Sequence, residues 1–233
     1  MIAALSQRAV GITATFTGSE IFIYGAVERG RFPDVRDDEL DFVITVTGPR
    51  GPAPVRRKSR VLGVWTNTAT VEIDEAPSFY AVAASGPLDE VLSETEDLRH
   101  RITIDKAVRV VGAAGPDADP ADFQKALIRL RRESGAYAQS VARVQTIGRT
   151  LFQTRVDLPS NLVEGDYAAR VFLLRDRKVV DVFETRIEVR KVGMERFLHE
   201  LAFDQPRLYG VLSVVIALIA GWIASEVTRL LRR

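Results

Sequence analysis

The sequence predicts a mainly β protein: a β-sandwich interrupted by a helical insertion, then a juxtamembrane helix and a single transmembrane helix. Three observations carry that prediction. Short alternating, β-branched runs bounded by turn residues fill positions 8–85 and resume at Val144. Between them, apolar residues fall at helical spacing. Near the C-terminus, Leu208 to Ser225 (LYGVLSVVIALIAGWIAS) holds 18 residues without a charge.

The strands follow in order. Val10 to Phe16 alternates, Glu20 to Val27 contains the β-prone IFIYGAV, and Asp41 to Thr47 ends at Gly48-Pro49, a turn signal. Pro54 to Leu62, Thr68 to Ile73 and Phe79 to Ala84 complete six strands before Gly86-Pro87. Such spacing favours a sandwich over a parallel sheet. Leu88 to Arg99 places Leu88, Val91, Leu92 and Leu98 near one helical face. Asp119-Pro120 reads as a cap and first-turn proline opening a helix to Glu133, with Phe123, Ala126, Leu127 and Leu130 inward and Gly135 ending it. Ile102 to Val111 reads equally as strand or short helix, and residues 112–119 as loop.

The β pattern returns as Val144 to Ile147, Leu151 to Leu158, Asp166 to Leu174 and Val179 to Val189. Gly165-Asp166-Tyr167 has the form of the tyrosine corner of Ig-like sandwiches, in which the phenol bonds back to the main chain. Four strands are too few for a separate Ig domain. Residues 1–192 are therefore expected to form one composite Ig-like sandwich with a helical insertion at about 88–138. Two small domains are the alternative.

Met194 to Phe203 (MERFLHELAF) carries an apolar stripe of Phe197, Leu198 and Leu201, so 193–206 are expected to be an amphipathic juxtamembrane helix. Residues 207–230 are the expected span. At 1.5 Å per residue the uncharged run makes about 27 Å of helix, close to a hydrocarbon core of about 30 Å. Tyr209 and Trp222 sit near its ends. Ser213, Ala217, Gly221 and Ser225 recur every fourth residue, a face on which a second helix packs closely.

Charge sets the expected orientation. The net charge is +1, but residues 207–233 hold four arginines against Glu226, or +3, leaving 28 basic and 30 acidic residues elsewhere. A near-neutral body excludes the strongly basic footprint of a nucleic-acid binder. Arg229 with the basic tip at 231–233 places the C-terminus in the cytoplasm and the body outside, which in a bacterium is the periplasm. The first ten residues, MIAALSQRAV, lack the pattern of an export signal. A removed signal or a misplaced start is expected in preference to a tail-anchored cytoplasmic body.

The chain also resembles a known family of uncharacterised alphaproteobacterial transmembrane proteins over nearly its whole length. The resemblance rests on Phe16-Thr17-Gly18-Ser19-Glu20 running into Tyr24-Gly25-Ala26, on Arg56-Arg57-Lys58 leading to Trp65-Thr66-Asn67, and on Pro77 to Ala83. Leu158-Pro159, Gly165-Asp166-Tyr167 and the Tyr209-Gly210 to Ala220-Gly221-Trp222 tail extend it. It implies an exported body, one C-terminal span, a cleavable signal and a loose association with permeases of the sulfite-exporter type. It supplies no active-site residues.

Chemistry is sparse. With no Cys, thiol nucleophiles, Cys-ligated zinc, iron–sulfur clusters and disulfides are excluded. No phosphate-binding loop, dinucleotide fingerprint, nucleophile elbow, HExxH or EF-hand loop occurs. His100 and His199 are expected to be ordinary surface residues. The acidic group Asp34, Asp37, Asp38, Glu39 and Asp41 includes Arg36 and lacks a glycine turn, so it reads as a solvated loop rather than a calcium site. No catalytic residue, metal site or cofactor is assigned. The most informative polar feature is a basic strand in which Arg56, Lys58 and Arg60 share one face, with Trp65 nearby, as a candidate anion site. Arg57 falls on the opposite face with Val55 and Val61 and needs a carboxylate partner if those valines point inward. A solvated edge strand is the simpler reading of the same charges.

Two functional expectations follow. The first is a non-enzymatic, membrane-anchored periplasmic accessory or scaffold protein, associated with a transporter or with itself through the span. The second is a periplasmic anion or small-ligand binding module anchored to the inner membrane.

Overall fold

The computed structural model describes residues 1–13, 16–27, 40–109, 119–147 and 151–191, and in the C-terminal segment 207, 209–210, 213–214, 217–219 and 221–222. The chain divides into two compact units, Met1–Arg190 and Lys191–Arg233.

In the first unit the described elements run β1 (Ile2–Leu5), β2 (Ala9–Ile12), β3 (Ser19–Ala26), β4 (Leu40–Thr47), β5 (Arg50–Val61), β6 (Val64–Pro77) and β7 (Tyr80–Ala84). Four helices follow: α1 (Leu88–Val91), α2 (Glu94–His100), α3 (Ile104–Ala107) and α4 (Pro120–Glu133). The chain then returns to strands as β8 (Tyr137–Arg143), β9 (Gln145–Ile147), β10 (Leu151–Leu158), β11 (Gly165–Arg175) and β12 (Lys178–Lys191). A four-stranded sheet has the order β1-β3-β10-β9, and a six-stranded sheet the order β2-β12-β11-β4-β7-β8. β5 and β6 form a separate two-stranded ribbon, and Glu75 of β6 makes an isolated antiparallel bridge to Arg109.

The larger sheet is covered on both faces. On one side Phe42, Ile44, Val46, Val171, Leu173 and Ala169 meet Ile21, Ile23, Phe152, Val156 and Leu158 of the smaller sheet. Phe42 and Phe152 stack there with ring centroids 4.6 Å apart. On the other side Val43, Tyr80, Val82, Phe172 and Leu174 pack against Ile104, Phe123, Leu127 and Ile128 of the helices and Val55, Val71 and Ile73 at the base of the β5–β6 hairpin. This explains why β4 and β7 read as nearly unbroken apolar runs rather than alternating ones. β7 and β8 pair in parallel, and the helices are the crossover that a parallel pair requires.

The helical layer differs from the expected pattern. Ser93 interrupts the helix expected over Leu88–Arg99, its hydroxyl accepting from the Glu96 N–H and opening α2 as a new helix. On α2 the buried face carries Glu96 and Asp97, while Leu98 is exposed. Asp97 accepts from the Ile102 and Thr103 N–H groups at 3.0 and 2.7 Å and from Thr103 Oγ1 at 2.7 Å. These bonds hold the chain where Arg101 turns left-handed at φ +51°. In α4, Asp119 accepts from the Ala121 N–H and Pro120 opens the helix, but Ile128 is buried where Leu130 was expected. Tyr167 Oη donates to the Val163 carbonyl at 2.8 Å, the bond of a tyrosine corner.

One expectation is corrected. Among the described residues no helix is long and apolar enough to cross a membrane, so the single transmembrane helix expected over 207–230 is not part of the fold class. The uncharged run meets the length criterion as sequence. Crossing as a helix takes one apolar element of about 20 residues, and no helix among the described residues reaches that length. The juxtamembrane helix expected over 193–206 and the basic tip at 231–233 lie outside the described residues. So do His199 and the acidic positions 34–39; Asp41 accepts a 2.7 Å bond from Ser85 Oγ.

Two predictions follow from this packing. A Cβ on Gly25 would lie 2.5 Å from the Ile2 carbonyl oxygen and 2.5 Å from Phe152 Cζ. Gly25→Ala therefore destabilises the protein by about 2 kcal/mol, despite alanine's lower chain entropy, measurable as a lowered urea midpoint. Burial pushes the phenols of Tyr80 and Tyr137 up to about 12, against an ordinary value of 10.0. The unfolded chain ionises first, so stability is intact below pH 10 and is lost as pH rises from 10 towards 12. Each tyrosine contributes up to about 1.4 kcal/mol per pH unit to that slope. Urea midpoints between pH 9 and pH 12 should fall less steeply in Tyr80→Phe with Tyr137→Phe than in the parent.

Candidate functional site: a projecting basic hairpin

The β5–β6 hairpin is anchored at one end only. Ala53, Val55, Val71, Ile73 and Ala76 are buried in the core beneath the helices. Beyond Val55 the described side chains of the ribbon are exposed or, at Ser59 and Ala69, half-buried. Six residues of extended chain from Arg56 to the turn reach about 20 Å past that anchorage at 3.3 Å each.

Cross-strand pairing organises its faces. Arg56 pairs with Thr70, Lys58 with Asn67 and Arg60 with Trp65, and the register shifts between Arg57 and Lys58. The shift is a bulge on β6, where Thr68 is the extra residue. It turns Asn67 and Trp65 to the face that carries Arg56, Lys58 and Arg60, since directly paired residues share a face. The four residues singled out from the sequence thus stand together on one side of the ribbon. Thr68 is held in the bulge by Ser59 Oγ at 2.8 Å. From Ala53 to Val71 the chain holds four basic residues and no acidic one.

Arg57 is exposed. The ribbon leaves the core at Val55, and the Arg57 guanidinium stands over the Phe123 ring of α4 at 5.9 Å from the centroid. That contact holds the ribbon to the helical layer without burying the charge. The Val61 side chain lies outside the described set.

The tip was not singled out from the sequence. Val61 and Val64 pair across a two-residue turn, Leu62-Gly63, with φ of +50° and +88°. Positive φ at both positions marks a type I′ turn, where Asn-Gly or Asp-Gly is favoured and leucine is strained. Leu62 is 100 % exposed, Val64 64 % and Trp65 67 %. Arg60 Nε donates to the Gly63 carbonyl at 3.2 Å, holding the guanidinium against the turn. The signal available beforehand was a leucine before glycine at the apex of a β pattern.

The other candidates are placed differently. Ser213, Ala217 and Gly221 are exposed positions in helical conformation, with nothing within 4 Å of a Cβ built on Gly221, and Ser213 Oγ donates to the Tyr209 carbonyl at 2.8 Å. Ser225 lies outside the described residues. His100 is half-buried rather than fully exposed, its Nε2 3.5 Å from Glu96 Oε2 and its ring against Phe172 at 5.5 Å. Among the described residues no group of three His, Asp or Glu side chains is placed to hold a metal. Two depressions of about 460 and 380 Å³ open on the smaller sheet, lined by residues such as Tyr24 and Leu151, and Phe22 and Arg155. Neither involves the hairpin.

The tip geometry gives a direct prediction. Leu62→Asn relieves the strain of a branched residue at positive φ and removes an exposed apolar side chain, so it raises stability by about 1 kcal/mol. An increased urea midpoint with an unchanged slope would register that gain.

Comparison with known proteins adds the setting. A search of curated proteins finds no match to the chain. The family model described as "Putative transmembrane protein (Alph_Pro_TM)" matches residues 1–230. That span takes in both sheets, the helical layer, the projecting hairpin and the apolar C-terminal segment, and on it the chain belongs to the Alph_Pro_TM family.

Proposed function

We propose that the protein is a non-enzymatic accessory or scaffold protein of a bacterial inner membrane. Its β-rich body lies on the periplasmic side and works by surface contact with a transporter. A permease of the sulfite-exporter type is the first partner to test. The observation that carries the reading is the β5–β6 ribbon, a basic two-stranded arm rooted in the core and exposed along its distal half. An arm of that form offers a contact surface rather than an enclosed reaction site. The buried carboxylates have structural work: Asp97 holds the α2–α3 turn, and Glu96 pairs with Arg99 at 2.7 Å.

The alternative, a small-anion module at Arg56, Lys58, Arg60 and Trp65, has in its favour three cations on one face of the ribbon. It is the weaker reading. A solvent-open ribbon has no wall to strip water from an ion, and small-ligand sites are concave.

Cross-linking of the tagged full-length protein in its native membrane, followed by mass spectrometry, tests the proposal. A recurrent integral permease is the expected product, reduced severalfold in Arg56→Ala with Lys58→Ala. Recovery of the protein alone, or only with itself, overturns the accessory reading.

A further inference from the structure

The proposed transporter contact accounts for the charges of the hairpin but not for its apolar tip. We infer that the β5–β6 tip docks on an anionic lipid surface, with Leu62 and Val64 entering the interface, Trp65 and Arg60 level with each other at its edge, and Lys58 and Arg56 meeting lipid phosphates behind them. This inference rests on the membrane reading above and names the target of that arm.

The axial order of the side chains carries it. Leu62, Val64 and Trp65 are the exposed apolar residues at the apex. Arg60 stands level with Trp65, its cross-strand partner, and Lys58 and Arg56 follow behind it on the same face, about 7 Å apart at two residues per step. A bilayer has the same order along its normal: hydrocarbon, an interfacial layer that favours tryptophan, then phosphate. The four basic residues and absence of acid between Ala53 and Val71 make the distal ribbon complementary to anionic headgroups.

The turn adds an independent reason. Leucine at φ +50° is a poor choice for a type I′ turn, and at 100 % exposure it stabilises nothing in the body. A strained, fully exposed apolar residue at an apex is explained by what it enters. An acidic protein surface would account for the charges but not for an apolar apex graded into a cationic stem.

The test uses the full chain with Trp222→Phe, which leaves Trp65 as the sole tryptophan of the two. The protein is reconstituted into vesicles of phosphatidylcholine alone or mixed with phosphatidylglycerol, each with acyl-brominated lipid as quencher. In the mixed vesicles Trp65 emission is expected to shift to the blue and be quenched, and in phosphatidylcholine much less. Arg56→Ala, Lys58→Ala and Arg60→Ala each weaken the phosphatidylglycerol dependence about fivefold. Leu62→Asn lowers quenching although its fold is at least as stable, so loss of structure is not the cause.

Trp65 unquenched in both vesicle types overturns the inference, as does quenching that the three alanine substitutions leave unchanged. A photo-reactive residue at position 62 that captures protein while Trp65 stays unquenched also overturns it, yet leaves the accessory reading standing. Quenching by the mixed vesicles from a protein that recovers no membrane partner upholds the lipid contact and sinks the accessory reading.

Discussion

Burial of the six-stranded sheet on both faces is the constraint on which the rest of the body depends. β4 and β7 carry apolar side chains on each side of the pleat, so neither face is compatible with water. The smaller sheet satisfies one face. The other needs a cover, and the helices between β7 and β8 supply it together with the hairpin base. The parallel β7–β8 pairing is a consequence: a chain that leaves one strand, crosses the sheet as helices and returns alongside runs in the same direction.

The polar interior serves the same end. Tyr80, on β7, donates to the Ile102 carbonyl at 2.8 Å, and Tyr137 donates to the Pro77 carbonyl at 2.8 Å. Arg170 Nη1, from β11, donates to the His100 carbonyl at 3.1 Å. Each bond gives a main-chain carbonyl at the end of an element or in a connection a side-chain donor. Asp97 does the converse for two N–H groups. The buried ionisable and phenolic groups are thus joints of the helical layer.

Against that economy the distal hairpin stands apart. Its base contributes to the core, but the ribbon past Val55 buries little and places a leucine in a strained turn. Family membership places the chain with the family described as "Putative transmembrane protein (Alph_Pro_TM)", and among the described residues the hairpin sets an apolar tip beside a row of cations. The body and the arm answer to different demands, one to packing and the other to whatever the arm meets.

Much of this was legible in local chemistry. Asp119-Pro120 specified the start of α4, Gly165-Asp166-Tyr167 the tyrosine corner, and the alternation of Arg56, Lys58 and Arg60 their common face, because caps, corners and strand periodicity act over a few residues. The six-on-four arrangement of strands was not legible, nor was the β7–β8 pairing or the burial of Asp97 in place of Leu98. These depend on which surfaces meet after the chain has folded back. Trp65 joins the basic row only through a bulge at Thr68, a register choice made between two strands. Sequence alone determined the strand-rich character, the lack of thiol chemistry and the row of cations. Tertiary structure decided that the sheet has two buried faces and that the cations stand on an arm, because both follow from contacts between segments far apart in the chain.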